Sequence, residues 1–187
     1  ANVAGVSASA LNVELARLRR QEIIARYTRG LYGMPGAVSP EVLVPAIDSH
    51  AYITGHYALY ACQMVNQIPA TITCFTDRRS PRARERVTPV GRLVFVCVRS
   101  SVYVPAPEAA IVSAAQALCD YVYLSRRHGA QPEALVTFRN LSRIRAEDLL
   151  SIVARYPVSV QKHVKRLLGR VGSPAGVVGR AGPEGHD

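Results

Sequence analysis

Asn12, Ala16 and Arg20 recur every four residues in the segment SASALNVELARLRR, residues 7–20. On a helix that spacing puts them on one face, with Ser9 and Val13 beside them. A small, polar face of this kind fits the major groove of duplex DNA, which is about 12 Å wide. There the Asn12 amide could pair with the edge of an adenine, and Ala16 could touch a thymine methyl. Arg17, Arg19 and Arg20 fall where backbone phosphates would lie. Arg26 and Arg29 follow in the next segment, placed to run along the backbone or reach into the minor groove. The chemistry of this set is recognition of a polyanion.

A second set is Arg78, Arg79, Arg82, Arg84 and Arg86, gathered in one connection. Guanidinium groups at this density could grip DNA or RNA phosphates or an acidic patch on a protein, and their mutual repulsion favours a neutralising partner. Asp120 is the one acid in an apolar helical run. Burial there would raise its pKa, and the partners expected for it are a neighbouring helix or the hairpin; it is also the single catalytic candidate. Phosphoryl transfer would call for a phosphate cradle, a lysine and paired acids. No GxxxxGK[ST] or D-x-D motif is present, and the two lysines, Lys162 and Lys165, sit on what reads as a solvated helix face. Cys62, Cys74, Cys97 and Cys119 lie at least twelve residues apart in apolar segments, so buried, reduced thiols are expected. The histidines show no metal-ligand spacing, and neither a metal nor a cofactor is expected. ATP and magnesium would enter only if the chain modified a partner covalently.

The whole chain frames these sites. Its 187 residues are 49% apolar and carry a formal net charge of +10. That is a globular composition, fitting one ordinary domain or a domain of about 40 residues joined to a larger one. The charge favours nucleic acid or an anionic membrane face as partner. The leucines of the first segment form a narrow stripe without Trp or Phe anchors, which disfavours the membrane. No run approaches the roughly 20 apolar residues of a membrane span, and none has the layout of a signal peptide, so a cytoplasmic location is expected. The sequence begins at Ala1 within what reads as the end of a helix and turn, and an earlier segment is expected ahead of it.

The elements that must position the candidates follow from local signals. Ser7 reads as a helix N-cap, Leu11, Leu15 and Leu18 as one buried stripe, and the helix should end near Gln21. Ile23, Ile24 and Tyr27, then Thr28-Arg29-Gly30 and Leu31-Tyr32, predict a short hairpin, and Pro35-Gly36 marks a domain boundary. Beyond it come a helix from Pro40 to about Ile47, a helix capped by Thr54 and ending near Asn66, and strands at 71–76 and 93–98 paired as a long-looped antiparallel hairpin. A run at 109–112 could add a third strand before a helix to Leu124. Ser113 or Pro107-Glu108 could start that helix. Helices near 146–155 and 159–168 close the fold, the last with Val160, Val164, Leu167 and Leu168 inward. The expected class is α+β. A partial winged helix-turn-helix at 1–37 precedes a mixed α/β domain at 38–170, in which helices pack on a small antiparallel sheet, and a flexible tail at 171–187.

Several of these segments resemble AbiEi-type antitoxins of type IV toxin-antitoxin systems. Gly5-Val6-Ser7, the basic helix and Tyr27-Thr28-Arg29-Gly30-Leu31-Tyr32-Gly33 are similar to the family's winged-helix segment with its R-G-x-Y wing. Tyr52-Ile53-Thr54 with Ala58-Leu59-Tyr60 resembles its Y-I-S and S-A-L. Residues 71–79 resemble its strand leading into basic residues, and residues 117–124 its A-L-L-D-L-L-Y-L helix. The resemblance runs over residues 5–168, and the order of the motifs is more specific than any one of them. It implies an antitoxin that represses its own operon through the winged helix and neutralises a nucleotidyltransferase-like toxin. Two alternatives accompany it: covalent, kinase-like modification of the toxin, and a non-catalytic toxin-binding module. The sequence departs from the family where its Pro-Glu-Lys becomes Ala114-Ala115-Gln116 and where Tyr57 replaces a small serine.

Overall fold

The computed structural model describes Gly5, residues 7–79 and residues 84–171. Helix α1, Ala8–Arg20, starts where the Ser7 hydroxyl accepts from the Ala10 N–H at 3.3 Å, and it closes at Gln21. Strands β1, Ala25–Thr28, and β2, Leu31–Gly33, form an antiparallel hairpin. Gly30 makes its turn at φ +80°, a conformation costly for residues with a Cβ. Tyr27 anchors the hairpin: it is buried, and its hydroxyl donates to the Met34 carbonyl at 2.8 Å.

Helix α2, Pro40–Ile47, has proline in its first turn, as predicted. Strand β3, Tyr52–Thr54, runs directly into α3, Gly55–Ala61. This helix stops short of Asn66 because Cys62 closes it and Gln63 turns to φ +60°. Strands β4, Thr71–Thr76, β5, Glu85–Thr88, and β6, Gly91–Cys97, follow. Helix α4, Ala114–Arg127, begins at Ser113, whose hydroxyl accepts from the Gln116 N–H at 3.4 Å; this settles its start. Next are the single turn α5, Pro132–Leu135, a 3-10 turn at Leu141–Arg143, α6, Ala146–Val153, and α7, Val158–Val171. Helix α7 runs to Val171, the first residue of the expected tail; residues 172–187 lie outside the described residues.

The fold is mixed α+β, but the main sheet is not the antiparallel one expected. Its order is β3-β4-β6-β5. The strands β4 and β6 are parallel, from Thr71 opposite Arg92 to Thr76 opposite Cys97, while β3 and β5 pair antiparallel to them on the outside. The reason is β5, which forms inside the arginine-rich connection. Strand β5 lies on the far side of β6 from β4; the chain turns at Pro89-Val90 and returns as β6 in the same direction as β4. The expected strand at 109–112 is reduced to one parallel bridge between Ile111 and Ile53.

Strand alternation divides the core. Tyr52 and Phe75 join a cluster with Leu59 of α3, Leu118 and Val122 of α4, Leu149 of α6, and Val160 and Val164 of α7. Ile53, Ile72, Cys74 and Leu93 join the other, with Leu43 and Val44 of α2 and Tyr27 of the hairpin. Helix α1 belongs to neither and has no buried residue. The leucine stripe expected to be buried is therefore on the surface, with Leu11 49% exposed and Leu15 and Leu18 half-buried, because too little packs on that face to cover it. Among the described residues no helix is long and apolar enough to cross a membrane.

Candidate nucleic-acid interface

Ser9, Asn12, Ala16, Arg17, Arg19 and Arg20 are all exposed on α1. Arg17 is already engaged: its guanidinium donates to the Glu14 carboxylate at 2.9 and 2.5 Å and to Gln21 at 3.0 Å. The glutamate, with its carboxyl held below the usual range mainly by that hydrogen bond, neutralises Arg17 and leaves Arg19 and Arg20 as the helix's outlying cations. On the hairpin, Arg26 lies 6.0 Å from the centre of the Tyr32 ring and donates to the Thr28 carbonyl at 3.4 Å. Arg29 is exposed at the turn.

The hairpin arginines of the first set come near one member of the second, Arg86. A shallow groove is lined on one side by Arg26, Thr28 and Arg29 of the hairpin and on the other by Arg86, Val87 and Thr88 of β5. Arg86 also lines a wider cleft, open to solvent, that holds Arg78, Arg79 and Arg84. Its Nε is buried with no partner among the described residues. Arg82 lies outside the described residues. The cleft adds two arginines that sequence reasoning missed: Arg99, just past β6, and Arg127, the last residue of α4. Each is distant in sequence from the rest. Arg99 had one signal, a cation placed immediately after an apolar strand.

Arg78 is aimed by a relay. Its guanidinium donates to Nε2 of His50 at 2.7 Å, and Nδ1 of His50 bonds the Asp77 carboxylate at 2.9 Å. Asp48 completes the edge of the cleft; its carboxylate accepts from the Thr76 hydroxyl at 2.8 Å and from the His50 N–H at 3.0 Å. Both carboxylates are thus already occupied by neighbours. Six arginines against two such acids make the cleft strongly electropositive.

Asp120 is elsewhere, fully buried between α4 and the sheet. Its carboxylate accepts from the Thr54 hydroxyl at 2.6 Å, from Gln116 Nε2 at 3.1 Å and from the Tyr156 hydroxyl; Arg155 donates to Gln116 Oε1 at 3.1 Å. Burial pushes its pKa up to about 7, against the downward pull of Thr54, Tyr156, Gln116 and the Arg155 charge. The network ties β3, α4 and the end of α6 together. With no exposed surface, this carboxyl is a polar tie in the core rather than a group facing a substrate.

The cysteines are all free. Cys74 and Cys119 are buried and Cys62 is half-buried, but Cys97 is exposed, a correction to the expectation of four buried thiols: it stands at the end of β6, beyond the cover of the helices. Among the described residues no group of three His, Cys, Asp or Glu side chains is arranged to hold a metal. No protein-family model matches the chain, and no curated protein matches it.

Proposed function

We propose that this chain is a nucleic-acid-binding regulator of the antitoxin type, reading operator DNA with α1 and the β1–β2 hairpin. The observation that carries this is α1 itself: a Ser-capped helix of 13 residues without one buried side chain, followed by a hairpin whose arginines line up with Arg86. A helix that contributes so little to its own core is ordered for a partner, and its exposed Asn12, Ala16 and Arg20 suit a major groove. In this reading the helix and hairpin act as the recognition helix and wing of a winged helix-turn-helix. The cognate partner is a nucleotidyltransferase-like toxin, and the protein acts in the cytoplasm.

The test is a mobility shift with the promoter fragment of the chain's own operon. Asn12→Ala should relax discrimination between sites, and Arg20→Ala should weaken binding to all of them. Unchanged binding by the double variant would exclude α1 from the DNA interface.

Direct binding of the toxin is a second reading, favoured by β5. Among the described residues this strand is at the edge of the sheet, and it holds Val87 86% exposed, features suited to strand addition by another protein.

A further inference from the structure

The two edges of the main sheet are finished differently. At β3 the edge is covered: the Ile53 N–H donates to the Ala110 carbonyl at 2.8 Å, and the Ile53 carbonyl accepts from the Val112 N–H at 3.2 Å. Beyond β5, among the described residues, no strand follows. The Phe95 N–H donates to the Arg84 carbonyl at 2.6 Å, so antiparallel alternation turns the backbone groups of Arg84, Arg86 and Thr88 toward β6 and those of Glu85 and Val87 outward. Side chains alternate as well. Arg86 lies opposite Leu93, on the face of the sheet that packs with the hairpin, while Glu85 and Val87, opposite Val94 and Arg92, lie on the other face. The outward edge borders the groove shared with Arg26, Thr28 and Arg29.

We propose that this edge and groove receive an extended segment of a protein partner in which acidic side chains alternate with apolar ones. The proposal rests on the direct-binding reading above and names what the partner presents. Added beside β5, such a strand bonds the outward N–H and C=O groups of Glu85 and Val87. Its side chains on the hairpin side meet Arg26, Arg29 and Arg86, and those on the other side cover Val87, which is 86% exposed. Charge selects the acid. Three arginines line the groove, no acidic residue among the described ones does, and Glu85, the one acid on β5, is paired with Arg92. A second copy of the chain, with its own net charge of +10 and the same arginine on its edge, is disfavoured as the added strand. A nucleic-acid backbone would satisfy the arginines but leave Val87 uncovered and the outward carbonyls without donors.

The experiment is fluorescence anisotropy of the full chain with labelled heptapeptides at fixed ionic strength: alternating Glu and Val, the same composition in block order, and alternating Lys and Val. Saturable binding of the alternating acidic peptide below about 1 mM is expected, with the block-order peptide about fivefold weaker and the lysine peptide not bound. Val87→Pro removes an outward N–H that β6 does not use and should weaken binding about tenfold with unchanged circular dichroism. Val87→Glu, a change at an exposed position, should weaken it as much and keeps the test open if proline disturbs the strand. No binding of the alternating acidic peptide, equal binding in block order, or affinity indifferent to Val87→Glu would overturn the proposal. The underlying reading fails separately. Co-purification of chain and toxin tests direct binding, and a toxin held equally by the parent and by Val87→Glu would retain direct binding while overturning the strand site.

Discussion

Helices α1 and α4 are built by the same local devices and put to opposite uses. They have 13 and 14 residues, each begins with a serine hydroxyl accepting from the third residue's N–H, and each ends in a basic turn, Arg17, Arg19 and Arg20 in one and Arg126 and Arg127 in the other. Yet α1 buries nothing, whereas α4 buries nine residues, among them Gln116 and Asp120. Caps and end charges therefore decide whether a helix forms, while its role depends on what lies against it. In α4 the packing face is occupied by the sheet and by α3, α6 and α7. In α1 both the leucine face and the polar face remain accessible.

The largest contrast should appear on truncating one leucine in each helix. Leu118 is fully buried, and Leu118→Ala should cost about 3 kcal/mol in chemical denaturation. Leu11→Ala should cost less than about 0.5 kcal/mol. Equal costs would mean that α1 is packed after all.

Asp120 sharpens the contrast through pH. Its folded pKa of about 7 lies above the ordinary carboxyl value of 3.8. Between those values the unfolded chain gives up a proton that the folded chain keeps, so this group's contribution falls as pH rises through the window and levels off above it. Asp120→Asn should therefore flatten the loss of stability between pH 5 and pH 7 by about 2 kcal/mol relative to the parent. Parallel stability curves for the two proteins would contradict the buried, proton-sharing arrangement.

The smallest effect concerns the caps. Ser113→Ala should lower global stability by about 1 kcal/mol. Ser7→Ala should fray α1, visible as faster amide exchange there, without moving the global unfolding midpoint. A shifted midpoint would couple α1 to the core.

The same division explains what was legible in the sequence. Ser7 and Ser113, Pro40, Gly30 and the apolar run Thr71–Thr76 act through their immediate neighbours, and the elements they mark are where the residues predict them. The pairing of β4 with β6 was not legible, because it depends on β5. The residues Glu85-Arg86-Val87-Thr88 read as charged loop and become a strand only by bonding to β6. The fate of the leucine stripe was hidden for a similar reason: periodicity marks an apolar face but not what covers it. The candidate residues of α1 and the arginine connection stood out by type and spacing. The groove shared by the hairpin arginines and Arg86, and the placing of Arg99 and Arg127 on the cleft with Arg78 and Arg84, arise only once the sheet brings distant segments together. The buried His163, bonded to Glu133 at 2.9 Å, was missed because its partner lies thirty residues away on α5.

The proposed reading of operator DNA puts the basic turn of α1 on the nucleic acid. Fluorescence anisotropy of labelled operator DNA across a range of salt concentrations tests it most directly. Arg19→Ala with Arg20→Ala should weaken binding and reduce the slope of log affinity against log salt by about two, while Arg126→Ala, in the matching turn of α4, should leave the slope unchanged. A parental slope retained by the α1 variant would contradict the claim.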